Sequence, residues 1–201
     1  AGSFSGVISG SGDVVKTTTG TVTLSGANTY DGLTDVQAGI LSITNPTALG
    51  ATTGATTVAN GAQLRLSGGI VVSGESLTIN GPGGDNLGAL NSLSGNNEWA
   101  GPLVIGTAVM NNRVGATAGN LTLSGVISGG TAGAMSGLTV RNGTGTTIVS
   151  GGSNTYAGDT TVVVGTLQLA GGPNRLPVTT KLAVGNSAGV TPAVFDLNGQ
   201  N

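Results

Sequence analysis

Ser25-Gly26-Ala27-Asn28-Thr29-Tyr30-Asp31-Gly32 returns twice further along the chain. It comes back as Ser94-Gly95-Asn96-Asn97-Glu98-Trp99-Ala100-Gly101 and as Gly151-Gly152-Ser153-Asn154-Thr155-Tyr156-Ala157-Gly158. In each copy an Asn is followed two residues on by an aromatic, and two further on by a Gly. These phrases hold both Tyr residues and the single Trp of the chain. A sequence so poor in aromatics does not gather them into one phrase by accident, so the chain reads as a repeat protein.

The flanks of the phrase carry short alternating runs: Thr21-Val22-Thr23-Leu24, Ile40-Leu41-Ser42-Ile43, Gln63-Leu64-Arg65-Leu66 and Ser76-Leu77-Thr78-Ile79. Asn120-Leu121-Thr122-Leu123, Thr146-Thr147-Ile148-Val149, Thr166-Leu167-Gln168-Leu169 and Val194-Phe195-Asp196-Leu197 continue the series. Each puts two apolar side chains on one face of a strand and small polar ones on the other. Gly, Asn or Ala-Gly follows most of them and marks a turn. No long segment shows the apolar spacing of a helix.

Leu24, Ile43 and Leu66 end equivalent runs. A stride near twenty residues predicts stacked coils, although a hairpin sandwich remains open on spacing alone. Longer copying favours the coils. Ser5-Gly6-Val7-Ile8-Ser9-Gly10 recurs verbatim as Ser124-Gly125-Val126-Ile127-Ser128-Gly129, and Gly20 to Ile43 matches Gly145 to Leu169 with one inserted residue. The expected fold is all-β, a right-handed parallel β-helix of stacked coils of roughly twenty residues. Nine or so coils at about 4.8 Å each make a rod of about 40 Å. Val, Ile and Leu are expected inside, with Thr and Ser on the outer faces.

Composition agrees with a thin, elongated core. Gly supplies 39 of 201 residues, aromatics 2% and charged residues 7%, against roughly 25% charged in an ordinary domain. The net charge is -2, and the six cations Lys16, Arg65, Arg113, Arg141, Arg175 and Lys181 are scattered in sequence. Nucleic-acid binding needs clustered Lys and Arg, so no nucleic-acid partner is expected. No run approaches the eighteen or so apolar residues of a membrane helix. With no Cys, neither disulfides nor thiolate metal sites can form; that also suits a chain that crosses a membrane unfolded. The sequence starts inside the pattern and stops after Asp196-Leu197-Asn198-Gly199. Residues 1–201 are therefore expected to be one β-helical segment excerpted from a longer protein, with repeat copies near 20–43, 90–128 and 145–169.

The phrase resembles the autotransporter-associated β-strand repeat, also called the passenger-associated transport repeat. The residues that carry the resemblance are Thr23-Leu24-Ser25-Gly26-Ala27-Asn28-Thr29-Tyr30-Asp31-Gly32 with Val36-Gln37-Ala38-Gly39-Ile40-Leu41. The third copy matches as well, in Asn154 to Val162 followed by Gly165-Thr166-Leu167. The middle copy departs, with Trp99 for Tyr and Gly101-Pro102-Leu103 after it, and Leu121-Thr122-Leu123-Ser124-Gly125 resumes the pattern. The resemblance implies a segment of the surface passenger of a type V secreted bacterial protein. Such passengers cross the outer membrane through a C-terminal translocator β-barrel, which these 201 residues do not contain. It implies an extracellular, cell-surface location, anchored at the outer membrane in the parent protein, and a role in passenger translocation.

The repeat residues admit two readings each. Asn28, Asn97 and Asn154 are expected at tight coil corners, where Asn bonds nearby backbone; the alternative is a ligand-binding row. Tyr30, Trp99 and Tyr156 are expected to pack at corners and hydrogen-bond through their polar groups; the alternative is stacking on sugars. Gly32, Gly101 and Gly158 complete the structural set. Asp31 and Asp35 are the nearest pair of carboxylates to an acid-base site, yet their third-copy counterparts are Ala157 and Thr161, so the repeat does not require them. With no His and no Cys, Ser-His and Cys-His hydrolase arrangements are closed. Gly10-Ser11-Gly12 and Gly81-Pro82-Gly83-Gly84 lack the Lys and helix of a phosphate loop and read as turns.

The sequence thus points to a structural, non-enzymatic passenger segment without cofactor or metal, aiding translocation and acting as a stalk. The second reading is an adhesin or self-association surface for a host glycan, a host protein or neighbouring cells.

Overall fold

The computed structural model describes residues 1–107, 111–133, 136–185 and 192–199. Among them every regular element is a strand, and every strand pairing is parallel. The strands stack in three ladders around a parallel β-solenoid of about 8 turns. One inward column shows the stacking: Val22 pairs with Leu41, Leu41 with Leu64, Leu64 with Leu90, Leu90 with Val114, Val114 with Val140 and Val140 with Val162. These residues stand at the inward positions of their alternating runs, and those from Leu41 to Val162 are buried.

The chain visits the sides in a fixed order. The first side holds strands such as Thr21–Leu24, Ile40–Ile43 and Leu90–Ser94. The second holds Asn96–Trp99 and Asn120–Leu123. The third holds Thr34–Val36, Ser76–Ile79, Leu103–Ile105 and Ile127–Gly129. Late in the chain, Leu138–Val149 and Thr160–Leu169 each run on from the first side to the second, which joins those two ladders into one sheet. The third side carries its own inward column of Lys16, Val36, Val58, Ile79 and Ile105. At its foot the Lys16 ammonium is buried and donates to the carbonyls of Ala38 (2.9 Å) and Thr18; burial lowers its pKa.

One corner, between the second and third sides, is a glycine ladder. Gly32 lies over Gly12, Gly54 over Gly32, Gly101 over Glu75, Gly125 over Gly101 and Gly151 over Gly125. A methyl at Gly101 or Gly125 would stand 1.9 Å from the carbonyl oxygen beneath it. The close approach of successive turns, rather than an unusual φ, demands Gly here.

Three features differ from the sequence expectation. The stride is not a constant twenty: it runs from 19 residues (Val22 to Leu41) to 26 (Leu64 to Leu90), and the turns number about eight. The long stride arises where Gly81 to Gly88 leave the coil and lie across the outside of the first side. Asp85 holds this strap, accepting from Arg65 Nη2 (2.5 Å), Gln63 Nε2 (2.8 Å) and Leu87 N (3.0 Å). Second, Thr and Ser do not keep to the outside: Thr34, Thr56, Ser92, Thr147 and Thr160 are buried beside Asn28, Asn97, Asn112, Asn142 and Asn154. A thin solenoid has corners whose backbone N–H and C=O groups lie off the ladders, and buried polar side chains serve them. Third, Arg65, Arg113 and Arg141, scattered in sequence, share the first side. The sequence does not fix the coil boundaries after Ala170, and these fall partly on residues 186–191, outside the described residues.

Candidate functional site: the asparagine steps of the repeat

The three phrase asparagines make one hydrogen bond in common. Asn28 Oδ1 accepts from Ile8 N (2.9 Å), Asn97 Oδ1 from Ile70 N (2.9 Å) and Asn154 Oδ1 from Ile127 N (2.7 Å). In every case the donor is an isoleucine one turn below. Two of the amides then reach up: Asn28 Nδ2 donates to Ala48 O (2.6 Å) and Asn154 Nδ2 to Arg175 O (2.7 Å), each one turn above. A single side chain therefore fastens three successive turns. Asn97 instead donates to Ser92 Oγ and Ser94 O in its own turn and to Leu66 O below. Asn142, outside the phrase, bridges in the same way from Ala116 N to Thr166 O.

The verbatim hexapeptide is the seat of this arrangement. Thr29 N donates to Ile8 O and Asp31 N to Gly10 O, so Asn28 and Tyr30 rest on Ile8 and Gly10. Thr155 N donates to Ile127 O and Ala157 N to Gly129 O, so Asn154 and Tyr156 rest on Ile127 and Gly129. Gly10 and Gly129 both have positive φ (107° and 84°), and each lies under a fully buried Tyr. What recurs in sequence is thus a two-turn device: a Ser-Gly-Val-Ile-Ser-Gly turn below and an Asn-Thr-Tyr turn above.

The device does not keep its side. In the first copy Asn28 to Gly32 lie between strands Thr21–Leu24 and Thr34–Val36, on the second side. In the third copy Asn154 to Tyr156 lie on Ile127–Gly129, on the third side. The glycines follow the shift: Gly32 and Gly101 stand in the ladder at the second corner, where the third copy contributes Gly151 instead. Gly158 falls at the next corner with φ 88°, against Gly137 N.

The aromatics satisfy themselves locally. Tyr30 Oη bonds Thr34 Oγ1 and Tyr156 Oη bonds Thr160 Oγ1, both at 2.5 Å and both four residues on. Burial pushes the Tyr156 phenol up to about 12 and raises that of Tyr30, against the opposing pull of these bonds. In the middle copy Leu103 stands where the Thr would be, and Trp99 Nε1 donates to Pro102 O (3.4 Å). Trp99 is inward, stacked between Val72 and Leu123. All three rings lie within the solenoid, with no face open for a sugar.

A polar thread missed in the sequence runs through the second to fourth turns. Thr34 pairs with Thr56 above it, and Thr56 Oγ1 donates to Glu75 Oε1 (2.7 Å). Glu75 is buried at the ladder rung where other turns have Gly, and burial pushes its carboxyl up to about 7. Of the two carboxylates considered for catalysis, Asp31 is exposed and Asp35 accepts from Gln37 Nε2 (2.7 Å). Among the described residues no group of three acidic side chains is placed to hold a metal ion.

Residues 14–43 and 140–169 match the family described as the passenger-associated-transport-repeat. The chain carries two passenger-associated transport repeats. The matched stretches contain Asn28, Tyr30 and Gly32 in one and Asn154, Tyr156 and Gly158 in the other; the middle copy lies outside both. The chain is also similar to the Adhesin BmaC autotransporter of Brucella suis biovar 1 (strain 1330), 30% identical over 164 residues. That alignment covers 82% of this chain and 4% of the relative, so the chain spans a small fraction of the protein it matches. No solved structure matches the chain.

Proposed function

We propose that these repeats form a structural section of an autotransporter passenger, which aids translocation by folding turn upon turn outside the cell and then serves as a stalk. The observation that carries this reading is the asparagine step. Asn28 and Asn154 each bind the turn below and the turn above, so a newly stacked turn is held by side-chain bonds as well as by its ladder. A turn seated in this way also buries inward residues such as Leu41 or Val140, at about 25 cal/mol per Å² of apolar surface. Both effects oppose the chain sliding back through a pore. The absence of Cys and the low charge ease passage of the unfolded chain. The repeat residues Asn28, Tyr30, Gly32, Asn97, Trp99, Gly101, Asn154, Tyr156 and Gly158 act in this reading as structural parts, and the section has no catalytic role. The required partner is a C-terminal translocator β-barrel in the parent protein, and the location is the bacterial cell surface.

Grafting residues 1–201 between a reporter and an autotransporter barrel tests the proposal. Protease-accessible reporter on intact cells should rise relative to the barrel and reporter alone, and should fall again with Asn154→Ala or with Val22→Asp and Leu24→Asp together. Unchanged display across this set would sink the transport role.

An adhesive role is the second reading, supported by similarity to an adhesin. Cells displaying the graft would then clump or bind glycan without any gain in display.

A further inference from the structure

Of the six cations in the chain, Arg65, Arg113 and Arg141 lie on the first side of the solenoid. Arg65 is matched by Asp85 at 2.5 Å. Arg113 and Arg141 have no carboxylate partner among the described residues. They occupy adjacent turns: Arg113 pairs in register with Thr139, and Arg141 follows two residues later on the same face of the same strand. All three side chains are at outward positions, because the alternating Asn112, Val114, Leu138 and Val140 fill the interior. The strap fixes one guanidinium, with Arg113 Nη1 donating to Asn86 O (3.3 Å).

A second, independent observation marks the same spot. Arg113 Nε and Thr139 Oγ1 are buried side-chain polar atoms with no hydrogen-bond partner, and no other described residue shows one. Thr139 is 1% exposed. An unpaired hydroxyl at that depth is costly, and native structures rarely tolerate one without cause. The two guanidiniums also repel: burial and the charge of Arg141 both lower the pKa of Arg113. Two donors without acceptors and two like charges without a counterion share one missing complement, a group with several acceptor oxygens and negative charge.

We propose that Arg113, Thr139 and Arg141 form a binding site for an oxyanion, the sulfate or carboxylate of an acidic saccharide. Guanidinium forks suit planar carboxylates and tetrahedral oxyanions alike, and the threonine hydroxyl supplies a further donor. Two neighbouring cations without a carboxylate partner among the described residues, Arg113 and Arg141, match a single anionic group, not the phosphate row of a nucleic acid. The saccharide source rests on the surface location proposed above, whereas the oxyanion site does not.

Calorimetric titration of the 201-residue chain, with a heparin-derived sulfated tetrasaccharide, a tetrameric hexuronate and inorganic sulfate as separate probes, tests the site. Side-chain N–H resonances of the arginines report where each probe binds. The expected result is saturable binding of one of the two saccharides that moves the Arg113 Nε–H resonance. Arg141→Gln should weaken that binding about tenfold, as loss of a charged hydrogen bond does, and Arg113→Lys should weaken it several-fold while keeping the charge and the stem. Thr139→Val should weaken binding while leaving the fold at least as stable, which separates a lost ligand bond from a lost structure. Arg65→Gln should change little. Binding of inorganic sulfate alone would overturn the saccharide assignment. No saturable binding of any probe, or saccharide binding untouched in all three site variants, would overturn the site. Neither result depends on the display assay.

Discussion

The amide N–H of Ile127 points at Asn154 Oδ1, 2.7 Å away and 27 residues distant in sequence. Ile8 and Asn28 repeat the relationship across 20 residues at 2.9 Å. Chain separation differs while the contact persists, so the contact rather than the loop length defines the repeat.

Asn154→Ala removes the side-chain partner of the buried Ile127 N–H and of the buried Gly151 carbonyl, as well as that of the half-buried Arg175 carbonyl. The expected cost is about 2 to 4 kcal/mol, from two unsatisfied buried groups. Urea unfolding measures it as a lower midpoint, with Thr155→Ala, an exposed neighbour, as the near-silent comparison. Equal midpoints for the two variants would refute the role assigned to the amide.

Gly125→Ala and Gly12→Ala make a matched pair. A methyl at Gly125 meets the Gly101 carbonyl oxygen at 1.9 Å, whereas one at Gly12 meets nothing within 4 Å. The first should destabilise by about 1 to 3 kcal/mol or more. The second should be neutral, or stabilise by up to about 1 kcal/mol through the unfolded chain. Thermal melts of both variants check the contrast.

Glu75 sets a pH dependence. Its carboxyl titrates near 7 in the fold against an ordinary 4.5, so between those values the folded state holds a proton that the unfolded chain has released. Stability from this group is fully present below about pH 4.5 and declines as pH rises through 7. Glu75→Gln should flatten that decline, and chemical denaturation at pH 5 and pH 8 reads the difference. A variant as pH-sensitive as the parent would exclude Glu75 as the source.

Tyr156 should ionise late. Its phenol is pushed up to about 12 and that of Tyr30 is also raised, so phenolate absorbance should stay low past the ordinary value near 10 until the fold opens. The stability these phenols contribute is present below the unfolded pKa and lost as pH climbs above it, because the unfolded chain ionises first. Tyr156→Phe should remove the latest-titrating part of the curve. A full two-phenol titration near pH 10 in the folded chain would contradict the burial.

Much of the fold was legible. Runs such as Thr21 to Leu24 and Ile40 to Ile43 alternate strictly, and the pairing of Leu24 with Ile43 and of Ile43 with Leu66 follows the stride read from the sequence. The side occupied by each copy was not legible, because alternation says which way a side chain points but not which ladder its strand joins. The partner of Asn154 was hidden for a related reason: Ile127 lies in a verbatim hexapeptide whose own meaning appears only when the turns are stacked. Glu75 was hidden too, since one acid between Gly74 and Ser76 looks like any loop residue until Gly54 and Gly101 are seen on either side of it. The arginine pair required knowing that residues 113 and 141, one turn apart, share a side.

The migration of the Asn-Thr-Tyr device from the second side to the third bears on how such a rod can lengthen. If a copied stretch had to return to the side it came from, only insertions worth a whole number of turns would survive. Here the device seats on either side, since its bonds go to the turns beneath and above it and not to any feature peculiar to one ladder. Gene duplication can therefore enter out of phase, and the rod absorbs the remainder by rotating its pattern instead of misfolding.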